Sequence, residues 1–155
     1  MRIRIVLTAV LLLPASARGQ IFVGGEFRVN AQTTGTQGNP AVSMDPNGTF
    51  VVVWEDRRNG QYEIYGRRFF ADGTISAEFQ VNVVAGTHTY PVVSTEASGN
   101  FVVAWQDEDV SDGDLFGRRF TFPFGTVPFQ FEINSYITSA QFEPAAARGE
   151  PATGW

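Results

Sequence analysis

The sequence predicts an all-β protein made of four-stranded antiparallel repeats of about 52 residues, units of the β-propeller blade kind. Three observations predict it. Phe50-Val51-Val52-Val53-Trp54-Glu55-Asp56 returns 51 positions later as Phe101-Val102-Val103-Ala104-Trp105-Gln106-Asp107, and its flanks return with it. Phe27, Phe79 and Phe131 are spaced by 52 and 52, a period within the range of propeller blades and solenoids. Each unit holds four short β-type runs parted by turn residues, and no twelve-residue window after position 20 carries helical periodicity.

Taken in order, the chain opens with Arg2 and Arg4, then an apolar run over residues 5–13 broken only by Thr8, then Pro14 and Ala15-Ser16-Ala17. A basic start, an apolar stretch and a small-x-small site predict a signal peptide over residues 1–19, cut after Ala17 or after Gly19. The run is too short for a membrane span, which needs roughly twenty apolar residues. The expected product is a secreted, periplasmic or cell-surface protein without a membrane span, forming one domain over residues 20–155. Its units run over about 25–77, 78–129 and a partial 130–155.

Within the unit, the Phe-x-Val-Asn run of residues 27–30 recurs at 79–82 and, with Ile for Val, at 131–134. Polar loops at 30–39 and 82–90 lead from one unit's last strand to the next unit's first. Pro40-Ala41-Val42-Ser43 and Pro91-Val92-Val93-Ser94 are the next strands. Asn47-Gly48 and Ser98-Gly99 supply the positive-φ residue that a tight hairpin needs, and Asp72-Gly73 does so again further on. Residues 50–54 are apolar at every position, which predicts an inner strand buried on both faces. Residues 62–70 alternate less cleanly and carry Arg67 and Arg68, which predicts a more exposed strand. Residues 121–128 read as an irregular connection.

The third unit reaches Pro144-Ala145-Ala146 and then departs. Trp54 follows Pro40, and Trp105 follows Pro91, by fourteen positions, whereas Trp155 follows Pro144 by eleven with no apolar run between. Closed propellers have about four to eight blades. Two units and a fraction therefore predict an incomplete propeller, with three readings open: a fragment of something longer, copies associating through open blade faces, or a small open β structure.

The motifs Phe-Val-Val-Val-Trp-Glu-Asp (50–56), Arg-Arg-Asn-Gly (57–60), Ile-Tyr-Gly-Arg-Arg-Phe (64–69), Ala-Asp-Gly (71–73) and Glu-Phe-Gln-Val-Asn (78–82) together resemble a repeat of large exported bacterial proteins. That resemblance implies propeller-like β units with no assigned catalytic activity. A weaker likeness is to the Asp-box hairpins of sialidase-type propellers. Ser43, Asp45, Gly48 and Phe50 stand in the right order, but the glycine is one place late and Glu96 replaces the aspartate in the second copy. This likeness is read as shared turn chemistry.

Composition narrows the function classes. Eleven arginines and no lysine face sixteen acidic residues, for a net charge of −5, which argues against nucleic acid and anionic membranes as partners. The absence of cysteine excludes disulfides, thiolate catalysis and cysteine-bound zinc. His88 is the single histidine, so no triad or zinc cluster forms around it; set between Thr87 and Thr89, it reads as a surface residue.

Five carboxylates in eight residues make 107–114 the conspicuous cluster, and Asp107, Asp109, Asp112 and Asp114 around Gly113 are the candidate calcium ligands. The spacing is not that of an EF-hand, and a solvated acidic turn is the alternative. The arginine pairs Arg67-Arg68 and Arg118-Arg119 recur at one repeat position, which suggests a structural role, one of each pair meeting an acid such as Asp56 or Asp107. Trp54 and Trp105 read as packing between blades, and Asn47-Gly48-Thr49 as a hairpin turn rather than a glycosylation site. No catalytic residue is nominated, and whether the chain is an enzyme stays open. The leading expectation is an exported non-catalytic repeat module, structural, adhesive or ligand-binding, with a glycan or protein at a cell surface as partner. One alternative is part of a glycan-cleaving propeller using carboxylates among Glu55, Asp56, Asp107 and Glu108. Another is a truncated product without an independent role.

Overall fold

The computed structural model describes residues 26–109, 113–121, 125–126, 129–134 and 144–146. The predicted signal peptide and most of the third unit lie outside these residues. The described chain is all-β. Strands β1 (Gln37–Met44), β2 (Phe50–Asp56), β3 (Glu63–Phe69) and β4 (Phe79–Gln80) form one antiparallel sheet in that order. Strands β5 (His88–Thr95), β6 (Phe101–Asp107) and β7 (Asp114–Thr121) form the second. Its outer edge is shared by the short strands β8 (Gly125–Thr126) and β9 (Phe131–Glu132), both pairing with β7. Among the described residues neither sheet closes on itself.

The two sheets repeat one another in register. Val53 faces Gly66 and Trp54 faces Tyr65 in the first sheet; Ala104 faces Gly117 and Trp105 faces Phe116 in the second. Both first strands carry an irregularity just before the proline, between Gly38 and Ala41 and between Thr89 and Val92. Asn39 and Tyr90 take positive φ there, 45° and 51°. The β1–β2 hairpin is capped by Asp45, whose Oδ1 accepts the N–H groups of Asn47 (2.8 Å) and Thr49 (3.1 Å). This is an Asx-type turn, in which a short side chain stands in for backbone.

Because pairing residues share a face, each sheet has a front carrying its tryptophan and a back carrying residues such as Val51 and Val53. The front of the second sheet lies on the back of the first. Val51, Val53, Ile64 and Val81 meet Val93, Phe101, Val103, Trp105 and Phe120 in one buried cluster. A smaller cluster of Val52, Trp54 and Phe69 lies on the front of the first sheet, under Val29. The repeat boundary read at 77/78 falls within the first sheet, since β4 pairs with β3. The following loop then delivers the chain to β5.

The glycine before each arginine pair has a packing reason. A Cβ on Gly66 would stand 2.8 Å from the Phe79 ring, and one on Gly117 would stand 2.9 Å from Phe131. Only a residue without a side chain lets the fourth strand's phenylalanine lie flat on the third strand.

Two expectations are corrected. β3 is not an exposed strand: Glu63, Ile64, Gly66, Arg68 and Phe69 are all buried. The arginines there do not spoil the core, because their guanidinium groups lie over Phe70 and Phe101 or reach backbone carbonyls. His88 is not a surface residue either. It opens β5 opposite Asp107 and is fully buried against Trp105.

Candidate functional site

The polar residues worth testing for chemistry gather where β2 and β6 end. In the first sheet the site is built on Asp56, the last residue of β2, which is wholly buried. Its Oδ2 accepts the Trp54 indole N–H (3.0 Å) and an N–H of the Arg58 guanidinium, while Oδ1 accepts the Arg58 backbone N–H (2.9 Å). Burial pushes the Asp56 carboxyl upward, but the Arg58 and Trp54 hydrogen bonds outweigh it and hold the group below the usual aspartate range. The Arg58 guanidinium is held above its ordinary value, first by its hydrogen bond to Asp56 against the opposing effect of burial, and further by Glu78. It stacks over the Tyr65 ring (3.9 Å) and donates to Glu78 Oε2 (2.9 Å). Every charge in this group has a partner.

Glu55 faces the other way and joins the sheets. Its buried Oε1 accepts the Asn39 side-chain amide (2.8 Å) and the Tyr90 backbone N–H (2.8 Å), one from each irregular first strand. Sequence reasoning placed Glu55 among candidate carboxylates and did not see this bridge. No repeated residue signalled it, since the positions before the two prolines are Asn39 and Tyr90.

The second sheet's counterpart is arranged differently. Arg58 becomes Asp109, and the guanidinium that completes the first cluster is absent. Asp107 Oδ1 accepts the Asp109 backbone N–H (3.0 Å), and Asp109 Oδ2 accepts the Thr87 N–H (2.8 Å). His88 Nε2 bonds the Val84 carbonyl (2.9 Å), so that nitrogen carries the proton, since a carbonyl can only accept. Among the described residues Nδ1 has no hydrogen-bond partner and lies 3.7 Å from Asp107 Oδ2. Among the described residues the buried Trp105 indole N–H and Gln106 Oε1 also have no hydrogen-bond partner.

The candidate calcium ligands are partly brought together. Asp107 and Asp114 are cross-strand partners, and Asp114 Oδ1 accepts the Asn134 amide (3.1 Å). Asp109 turns toward the Thr87 loop, and Asp112 lies outside the described residues. Among the described residues no group of three or more acidic or histidine side chains is placed to hold a metal ion.

The arginine pairs do not meet Asp56 or Asp107. Arg67 donates to the Val29 carbonyl and Arg118 to the Val81 carbonyl, each at 2.8 Å, so the first arginine binds the preceding fourth-strand segment. Of the second arginines, Arg119 bonds Glu96 (3.0 Å), and Arg68 is buried. Burial pushes the Arg68 and Arg118 guanidinium groups below their ordinary range. A cleft of about 360 Å³ opens on the front of the first sheet, lined by Phe27, Val29, Pro40, Val52 and Trp54 among others.

No protein-family model, curated protein or solved structure matches the chain.

Proposed function

We propose that the chain is an exported, non-catalytic β-repeat module, adhesive or structural, that binds a protein or glycan at a cell surface. The observation that carries this reading is the use already made of the carboxylates. Glu55 joins the two sheets, Asp56 holds Trp54 and Arg58, Asp107 caps the turn at Asp109, and Glu108 accepts the Thr89 hydroxyl (2.8 Å). A glycan-cleaving pair needs two carboxyl groups free to face one bond across roughly 5–10 Å. Export rests on the amino-terminal sequence pattern of residues 1–19.

The test is hydrolysis of a panel of chromogenic glycosides by the chain from Gln20 onward. The expected result is release at the buffer rate. Turnover that disappears in Glu55→Gln or Asp107→Asn, with both variants folded by circular dichroism, would replace this reading with the enzymatic one.

A further inference from the structure

Four of the tight turns share one frame. In each, the N–H of a glycine donates to the carbonyl three residues earlier: Gly48 to Asp45 (3.1 Å), Gly60 to Arg57 (3.2 Å), Gly73 to Phe70 (3.0 Å) and Gly99 to Glu96 (3.0 Å). These glycines take positive φ, at 88°, 97°, 89° and 85°. What varies is the residue before the glycine, which is Asn47, Asn59, Asp72 and Ser98 in turn. Two turns therefore set a side-chain amide beside the backbone nitrogen of a glycine, the residue that shields that nitrogen least because it has no Cβ. Asp72 and Ser98 carry no amide to lose.

Both asparagines are exposed, but their side chains are held differently. Asn59 Nδ2 donates to Glu63 Oε2 (2.8 Å) and lies 3.4 Å from the Tyr65 hydroxyl. Glu63 is itself buried at the start of β3, and its other oxygen accepts the Gln80 amide (3.0 Å), so the acceptor is fixed in place. Asn47 is tied through its main chain, its backbone N–H donating to Asp45 Oδ1 (2.8 Å). Among the described residues its side chain has no bond of the Asn59 kind.

We propose that Asn47-Gly48 is a site of spontaneous covalent modification, deamidation through a cyclic imide, and that Glu63 protects Asn59-Gly60 from the same reaction. The Gly48 amide nitrogen gives its proton to solvent base and attacks Asn47 Cγ. The new N–Cγ bond forms, the Cγ–Nδ2 bond breaks, and the amide leaves as ammonia. Water then opens the imide at one of its two carbonyls. Attack at Cγ leaves aspartate; attack at the main-chain carbonyl carbon leaves isoaspartate, with the backbone running through Cβ and Cγ. Water is the co-reactant, and nothing is oxidised or reduced.

Both reactions require the glycine N–H to leave a carbonyl at nearly the same distance, so that cost is shared. Asn59 must also leave Glu63, and loss of one such bond slows its reaction by about tenfold. The product alters the β1–β2 turn. Asp45 Oδ1 spans the N–H groups of residues 47 and 49, and an extra backbone carbon between residues 47 and 48 breaks that fit. A new carboxylate also stands beside Asp45, at the tip that sets Met44 opposite Phe50. The modification is independent of what the module binds.

Peptide mapping by mass spectrometry, on the purified protein aged at mildly alkaline pH, tests the proposal, with isoaspartyl methyltransferase labelling to mark the isoaspartate. In the folded protein the Asn47 peptide is expected to convert at least about tenfold faster than the Asn59 peptide. In guanidinium chloride the two should convert at comparable rates, because each asparagine precedes a glycine. Glu63→Ala is expected to bring Asn59 up toward the rate of Asn47; if that variant does not fold, the folded and denatured parent carry the comparison alone. Comparable or reversed rates in the folded parent, no conversion at Asn47, or a folded Glu63→Ala variant in which Asn59 stays slow would each overturn the proposal.

Discussion

The two sheets share strand order and register, yet equivalent positions on their first strands differ in exposure. The front of the second sheet is covered by the back of the first, so Val93, Thr95, Val103 and Trp105 are buried. Among the described residues, those that meet the front of the first sheet are 26–30 beside the cleft, and Val42 and Met44 along β1 are exposed. The difference teaches that burial in a stacked repeat belongs to the neighbour rather than to the strand.

Substituting equivalent positions tests that contrast, and the largest expected effect is at the tryptophans. Trp105→Ala is expected to cost about 4 kcal/mol in urea unfolding, as removal of a wholly enclosed aromatic does. Trp54→Ala, at a residue that is also buried but lines the cleft, is expected to cost about 3 kcal/mol. Equal losses would mean that the cleft beside Trp54 does not loosen its packing. The arginine ties come next. Arg118→Met strands the buried Val81 carbonyl and is expected to cost about 2 kcal/mol, whereas Arg67→Met loosens an exposed segment and is expected to cost under about 1 kcal/mol. A reversed order would show that residues 26–30 contribute more to folding than their exposure implies.

Smaller again is the valine pair. Val93→Ala is expected to cost about 1.5 kcal/mol and Val42→Ala no more than about 0.5 kcal/mol, both from denaturant midpoints. The acid response separates the two polar clusters. The folded-state pKa of Asp56 lies below its unfolded value of about 3.9, so its contribution is present above that pH and is lost as pH falls through the folded value. Stability measured below about pH 4 should therefore fall less in Asp56→Asn than in the parent. A parallel fall in both would place the acid-sensitive group elsewhere. The smallest expected effect is that of calcium: at millimolar concentration, no shift in Tm, because Asp107 and Asp109 already accept backbone N–H groups. A rise that vanishes in Asp109→Ala would assign the acidic loop as a calcium site.

Much of the strand pattern was legible. The all-apolar run 50–54 reads as an inner strand and is one, and Asn47-Gly48, Asp72-Gly73 and Ser98-Gly99 read as turns and place glycines at φ near 85–89°. Those features are local, set by side-chain periodicity and by backbone sterics. His88 was misread because its chain neighbours are polar, whereas its surroundings are the Trp105 ring and the β5–β6 ladder. Arg67 and Arg118 were read as partners of acids because charge suggests charge, yet the groups within reach were backbone carbonyls of the preceding segment. Glu55 gave no local sign that one carboxylate would hold two sheets together.

By itself the sequence determined the repeat, its strands, its turns and the antiparallel order within each unit, since each depends on residues a few positions apart along the chain. Which faces are covered and which carboxylates are spent on structure were decided only by the stacking of one unit on the next. The same valine position is buried in one copy and bare in the other, and the physical reason is the presence or absence of a neighbouring sheet to exclude water from it.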